Sequence, residues 1–235
     1  MFDFQFNNKN ASELGVYAIS RPAIVSPERN VQLIEVPGRN GSITLDDETY
    51  KDIEIDINCN FRVKKADDFG KKTRMIKSWL NSKTDNRLIF NDDFDFCRLV
   101  KKTTISKIER QSKYIGTFEI NFVCSPFEFL LDGFNEHSLE DSKVNPYYTS
   151  KPLYHFIGEG MAHLEVNGNY ININVGQNAY VDTELQLTYN DNGDIVNTDL
   201  NGDYEKLYLK SGENDLLIES KTGVQVKVKP RWCCL

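Results

Sequence analysis

The sequence predicts a mostly β protein built as two domains, and three observations carry that expectation. Aromatic residues are frequent, with 14 Phe and 11 Tyr among 235 residues, and they favour strands. Strict apolar–polar alternation marks the best runs of the first half, with a single amphipathic stretch at helical spacing between them. The second half is a succession of short apolar runs separated by Asn-Gly and Ser-Gly turns.

In chain order, Phe2, Phe4 and Phe6 alternate before an Asn7-Asn8 turn. Val31–Val36 reads as a strand, and Ser42–Leu45 starts another. Between them lies Val36-Pro37-Gly38-Arg39-Asn40-Gly41, where Pro37 fixes φ and Gly38 and Gly41 permit positive φ. That cluster is a tight, exposed turn, or a rigid loop that presents Arg39 to a partner or a neighbouring copy. Ile53–Arg62 is the clearest strand: Ile53, Ile55, Ile57, Cys59 and Phe61 point one way and polar residues the other, as in an antiparallel sheet wet on one face.

Residues 66–82 form the helix. Asp67 and Asp68 suit its N-terminal dipole, and Phe69, Thr73, Ile76, Trp79 and Leu80 line one stripe. Lys71, Lys72, Arg74 and Lys77 form a solvated face, since nothing glycine-rich precedes them to cradle an anion. Strands resume at Arg87–Phe90, Cys97–Val100, Thr103–Glu109 and Gly116–Cys124, the last stopped by Ser125-Pro126. These elements make an N-terminal domain over 1–130, a β-sandwich-like sheet core with one helix.

Residues 131–151 turn polar without a sustained period and are expected to connect the domains. From 152 to 235 the expected strands are Leu153–Ile157, His163–Val166, Tyr170–Val175, Glu184–Tyr189, Lys206–Leu209, Asp215–Glu219 and Val224–Val228. Turns fall at Asn167-Gly168, Asn192-Gly193, Asn201-Gly202, Ser211-Gly212 and Thr222-Gly223, the pattern of an antiparallel sandwich or jelly roll.

Composition narrows the function. The net charge of −7 opposes a tight nucleic-acid binder, which carries a basic face. No apolar run reaches the ~18 residues of a membrane-spanning helix, and the N-terminus reads as a strand, not a leader. Five cysteines without a CxxC imply a chain folded in reducing cytosol.

No catalytic constellation is present: there is no GxSxG, P-loop or GxGxxG, so the chain is expected not to be an enzyme and to need no cofactor or metal. His155 and His163 straddle a turn as a conceivable metal pair, but no third ligand sits at zinc spacing and ordinary strand histidines are favoured. Asn190–Asp194 and Asp199–Asp203 resemble calcium loops, yet the glycine falls too early and hairpin turns are the better reading. Adjacent Asp92, Asp93 and Asp95 lack the cleft geometry of an acid–base pair. Tyr147, Tyr148, Tyr154, Tyr170, Tyr180, Tyr189, Tyr208 and Trp232 offer a candidate sugar-stacking face on the second domain.

Taken together, several segments resemble the distal tail protein family of long-tailed, non-contractile phages and prophages, the hub of the tail tip or baseplate. In the first half they are Leu14-Gly15-Val16, Val36–Gly41, Trp79-Leu80 and the run Gly116, Phe118, Ile120, Phe122, Pro126. In the second half they are Lys151-Pro152-Leu153 with Gly158-Glu159-Gly160, Val181-Asp182-Thr183-Glu184, Leu209–Asn214 and Pro230-Arg231-Trp232. Cys97, where relatives often carry an aromatic residue, and the Cys233-Cys234-Leu235 end depart from the family pattern.

The resemblance implies an N-terminal domain that closes into a homo-hexameric ring and a C-terminal galectin-like sandwich outside it. The ring would join tail tube to tip, with a channel passing tape measure and DNA. Implied partners are the tail tube protein, the tail-associated tip protein, the tape measure protein and, in some phages, receptor-binding proteins. No specific nucleic-acid binding and no membrane are implied. The location would be the virion tail tip, after synthesis in the bacterial host cytoplasm. The expected assembly loop is Pro37, Gly38, Arg39, Asn40 and Gly41, with the Ile53–Phe61 edge as a second contributor. The alternative function is a carbohydrate-binding module for host surface polysaccharide.

Overall fold

The computed structural model describes residues 2–82, 84–220 and 223–235, which separate into two compact units: residues 1–128 with Leu235, and Phe129–Cys234. Both are mostly β, with one α-helix among the described residues.

The first unit is a curled antiparallel sheet. Its strands run in the order Lys9–Asn10, Phe4–Phe6, Arg87–Phe90, Asp93–Ile105, Ile115–Leu130, Ile53–Arg62 and Val16–Ala18. The two alternating strands pair in register, with Phe118 opposite Cys59, Ile120 opposite Ile57 and Phe122 opposite Ile55. Their apolar side chains therefore share one face. The helix Asp68–Leu80 covers that face with Phe69, Ile76, Trp79 and Leu80. Trp79 Nε1 donates to Phe6 O at 2.8 Å, and Asn7 Nδ2 returns a bond to Trp79 O at 2.8 Å, so the helix end is tied to the first strand. Asn81 ends the helix by donating from its side-chain amide to Lys77 O.

Two expectations for this unit are corrected. Ile53–Phe61 is not an edge: it lies between Ile115–Leu130 and Val16–Ala18 in the sheet. Nor does Pro126 stop its strand, which continues to Leu130. The ladder with Ile53–Arg62 ends at Cys124, so a residue without an N–H at 126 removes no bond from it.

The second unit is a sandwich. One sheet orders His137–Ser138, Gln225–Lys229, Leu153–Ile157, Asn178–Asp182 and Leu187–Tyr189; the other orders Leu200–Asn201, Asn169–Val175, Gly160–Val166 and Leu216–Ser220. Tyr154, Phe156, Val181 and Val226 from the first meet Leu164, Val166, Ile171 and Ile173 from the second in one core. Residues 131–151 contribute a 3-10 turn and two short strands, His137–Ser138 and Val144–Asn145, and cluster with this unit.

The strand expected at Lys206–Leu209 is a 3-10 turn over Tyr204–Leu207, which still buries Leu207. Asn178–Asp182 is a strand that the residue pattern did not announce, because Asn178 and Asp182 mask a short apolar run. Asp199–Asp203 is not a hairpin turn: Leu200–Asn201 pairs with Asn172 and Ile173. Of the expected turn Thr222-Gly223, Thr222 lies outside the described residues.

The second-half segments that carry the family resemblance converge here. Thr183 Oγ1 donates to Pro152 O at 2.8 Å. Arg231 forms a bidentate ion pair with Asp182. Buried Asn214 accepts from Lys210 N and Asn167 Nδ2 and donates to the carbonyls of Lys210 and Gly212, which fixes the turn that ends at it. These spacings serve the sandwich itself.

Candidate assembly surface

The feature of the first unit with no internal purpose is a β-hairpin. Arg29–Glu35 pairs with Ser42–Tyr50, and these two strands form a sheet by themselves. The ladder sets Gln32 opposite Leu45, Leu33 opposite Thr44 and Ile34 opposite Ile43. Side chains alternate across a strand, so Val31 and Leu33 face one side while Ile34, Ile43 and Leu45 face the other. Both sides are therefore apolar, and both are open to water: Leu33 is 69 % and Leu45 51 % exposed.

Polar contacts hold the base of this arm. Arg29 pairs with Asp46 at 2.9 Å, Lys51 with Glu28 at 3.0 Å, and Asn30 Nδ2 donates to Thr49 Oγ1 at 2.8 Å. Asp47 accepts from the side chain and backbone of Thr49, and these bonds hold its carboxyl below the usual carboxylate range. Among the described residues, the distal half is held by its ladder. An isolated two-stranded hairpin is marginal in water, and burying each of its large apolar side chains would contribute about 1.5–3 kcal/mol. The arm has the chemistry of an element completed by another chain.

Pro37, Gly38, Arg39, Asn40 and Gly41 form the tip. Arg39 N donates to Val36 O at 3.1 Å, Gly38 and Gly41 take φ of +82° and +80°, and a Cβ at either glycine would meet nothing. The glycines are thus required by conformation, not by crowding. The Arg39 side chain has no hydrogen-bond or ion-pair partner among the described residues. The tip was legible as a turn. The arm's exposure was not, although apolar residues at 31, 33, 34 and 36 break the period of a one-sided strand.

At the foot of the arm, Arg21–Pro27 border a cavity of about 470 Å³. Phe2, Ile55 and Phe90 line it, with two ion pairs, Arg21–Asp92 and Arg98–Glu128. Asp93 also lines it, with a carboxylate that has no ion-pair partner among the described residues. The Asp92, Asp93 and Asp95 cluster thus contributes one ion pair and one free carboxylate here.

The other sequence candidates are dispersed. His155 sits on one sheet of the sandwich, 2.9 Å from Glu136 and stacked on Tyr180, while His163 sits on the other, bonded to Asn172 and stacked on Tyr170. The structure does not bring the two together. Asn190–Asp194 is a turn in which Asn190 Oδ1 accepts from the backbone of Asn192 and Asp194. The candidate sugar-stacking aromatics do not form one face: Tyr154 is core, Trp232 is buried, Tyr180 and Tyr189 stack on one sheet, and Tyr170 lies exposed on the other.

Residues 12–124 match the family described as phage tail protein RIFT-related domain. No curated protein matches the sequence. Among solved structures, the fold is similar to that of the Dit protein of phage SPP1, described as a paradigm of hub adsorption apparatus in Gram-positive-infecting phages. That match has 10 % identity, covers 97 % of this chain and 98 % of that one, and has a TM-score of 0.67. A chain of the phage P2 baseplate in its activated conformation with Ca matches at 9 % identity, with 97 % of each chain covered and a TM-score of 0.47.

Proposed function

We propose that this chain is a phage tail protein of the distal tail type and the hub of the tail tip: copies close into a homo-hexameric ring that joins the tail tube to the baseplate. The match of residues 12–124 to the phage tail protein RIFT-related domain supports the coarser part of this reading, a structural role in the tail. Ring closure, the number six and the channel are the reading built on it. The observation that carries the reading is the arm at Arg29–Tyr50, apolar on both sides and paired with no third strand among the described residues. An arm of that kind suits a second chain, and a chain that assembles through two different patches forms a ring where the rotation between copies closes.

The ring acts without enzymatic chemistry. Its partners are the last ring of tail tube protein, the tail-associated tip protein and, where present, receptor-binding proteins, and its lumen passes the tape measure protein and then DNA. The wet face of the first sheet supports passage without adhesion. It carries Glu54, Asp56 and Glu119 against Arg62, the one cation of the Ile53–Arg62 strand, and Asn121 Nδ2 bridges Glu54 and Asp56 at 3.1 and 2.8 Å. Carboxylates release no counterions from DNA, so such a face does not hold it.

The test is the solution mass of the purified full chain, with negative-stain images of the same peak. Six copies of 27.1 kDa, about 6 × 27.1 ≈ 163 kDa, with a central hole support the reading. A monomer that stays monomeric when mixed with its tube and tip partners overturns it.

A further inference from the structure

In the second unit, the sheet built on Gly160–Val166 turns Ala162, Leu164, Ile171 and Ile173 into the core, so the alternate side chains face away from it. Cross-strand partners share a face, and the register therefore places them. His163 lies between Asn172 on one side and Glu219 on the other, with Asn201 beyond Asn172. Two residues along the strand, Glu165 lies between Tyr170 and Leu217. Among the described residues this outer face carries no Lys or Arg. His163 Nδ1 donates to Asn172 Oδ1 at 2.9 Å, which in the neutral ring leaves Nε2 as an acceptor without a partner among the described residues. Asn172 Nδ2 and the carboxylates of Glu165 and Glu219 likewise have no partner among the described residues. Tyr170 stacks one side of its ring on His163, with centroids 5.0 Å apart, and is 62 % exposed, so the other side meets water.

We propose that this face is a binding site for a neutral saccharide. Two carboxylates without a cation repel an anion, which excludes nucleic acid and acidic polymers. The core of a protein interface is poor in carboxylates, because each would lose its water without gaining a partner. A neutral sugar supplies what the face lacks. Its hydroxyls donate to Glu165, Glu219 and His163 Nε2 and accept from Asn172 Nδ2, while its C–H face covers the open side of Tyr170. Strands about 4.8 Å apart and rows roughly 6.6 Å apart give a patch of about 14 by 7 Å, room for one or two sugar rings. The site lies within one copy, so it goes beyond the ring reading and does not depend on it.

The test is calorimetric titration of the purified full chain with lactose, cellobiose, maltose and N,N′-diacetylchitobiose, and with a heparin disaccharide as the anionic probe. Wild type is compared with Tyr170→Ala, Glu165→Gln and, as a control exposed elsewhere on the second unit, Leu185→Ala, with thermal melting of each as a folding check. Wild type is expected to bind at least one neutral sugar saturably and to leave the anionic probe unbound. Tyr170→Ala and Glu165→Gln are each expected to weaken that binding about tenfold or more, and Leu185→Ala to keep it. No saturable heat with any of the neutral sugars, preference for the anionic probe, or binding that survives both variants overturns the site. Loss of tube or tip protein from the two variants, with no sugar bound by wild type, marks a protein interface and overturns it as well. The ring reading stands under each of these outcomes.

Discussion

Arg231 grips Asp182 with both ends of its guanidinium, Nη1 to Oδ1 at 2.9 Å and Nη2 to Oδ2 at 2.8 Å, across 49 residues of sequence. Asp182 also accepts the backbone N–H groups of Glu184 and Leu185 at 3.0 and 3.1 Å. One buried carboxylate thus ends a strand, caps the turn after it and anchors the last segment of the second unit. Removing Asp182 strips Arg231 of its bidentate partner, leaving Glu184 at 3.5 Å as its remaining carboxylate. Asp182→Ala is expected to cost the second unit about 3–5 kcal/mol in urea unfolding. A cycle that also includes Arg231→Leu and the double variant is expected to show strong coupling, with the double costing less than the sum of the singles.

The same pair sets a pH dependence. Burial alone would raise the Asp182 carboxyl, but the Arg231 guanidinium and the two backbone donors outweigh burial and hold it below the usual range. A carboxyl with a depressed folded pKa contributes stability that is present above its unfolded value of about 3.9 and is lost as pH falls through the folded value. The stability gap between wild type and Asp182→Asn is therefore expected to be full at neutral pH and to shrink below about pH 4. Urea titrations at a series of pH values read it directly, and a gap that widens in acid would contradict the assignment.

Gly116 faces the rings of the first core. A Cβ there would sit 2.5 Å from Phe61 Cζ and 3.0 Å from Phe69 Cζ, and both rings are packed. Gly116→Ala is expected to destabilise the first unit by about 1–3 kcal/mol, since the rings must leave their rotamers. A melting curve unchanged from wild type would show that the helix end can shift at no cost.

Thiol chemistry separates the cysteines. Cys59, Cys97, Cys124 and Cys233 are buried, and burial pushes each thiol up to about 12. Cys234 alone is partly exposed. The native chain is expected to take up one maleimide, at Cys234, and all five cysteines to label after denaturation. Mass spectrometry with and without denaturant counts the adducts.

The arm can be tested apart from the core. Leu33 and Leu45 are exposed in the single copy, so Leu33→Glu with Leu45→Glu is expected to leave thermal melting of the monomer within about 0.5 kcal/mol of wild type. The same variant is expected to lose assembly, read by light scattering, because both apolar sides of the arm acquire a charge that a protein interface would have to desolvate. Assembly at the wild-type level would remove the arm from the interface.

The sequence by itself determined the fold class, the alternating strands Ile53–Phe61 and Phe118–Cys124, the helix stripe from Phe69 to Leu80, and the turn at Pro37–Gly41. Each is a local pattern: alternation and helical spacing record which side of an element is buried, and glycine records where the backbone must turn. What covers an element is not local. The tertiary structure alone decided that Ile53–Arg62 lies inside its sheet, that Asn178–Asp182 is a strand, and that Asp182 meets Arg231. It also decided that the apolar residues of the arm beside the turn stay exposed on both sides. Those outcomes depend on register and on partners far away in the chain, and a period of two is the same whether the apolar face meets a helix, a second sheet or water.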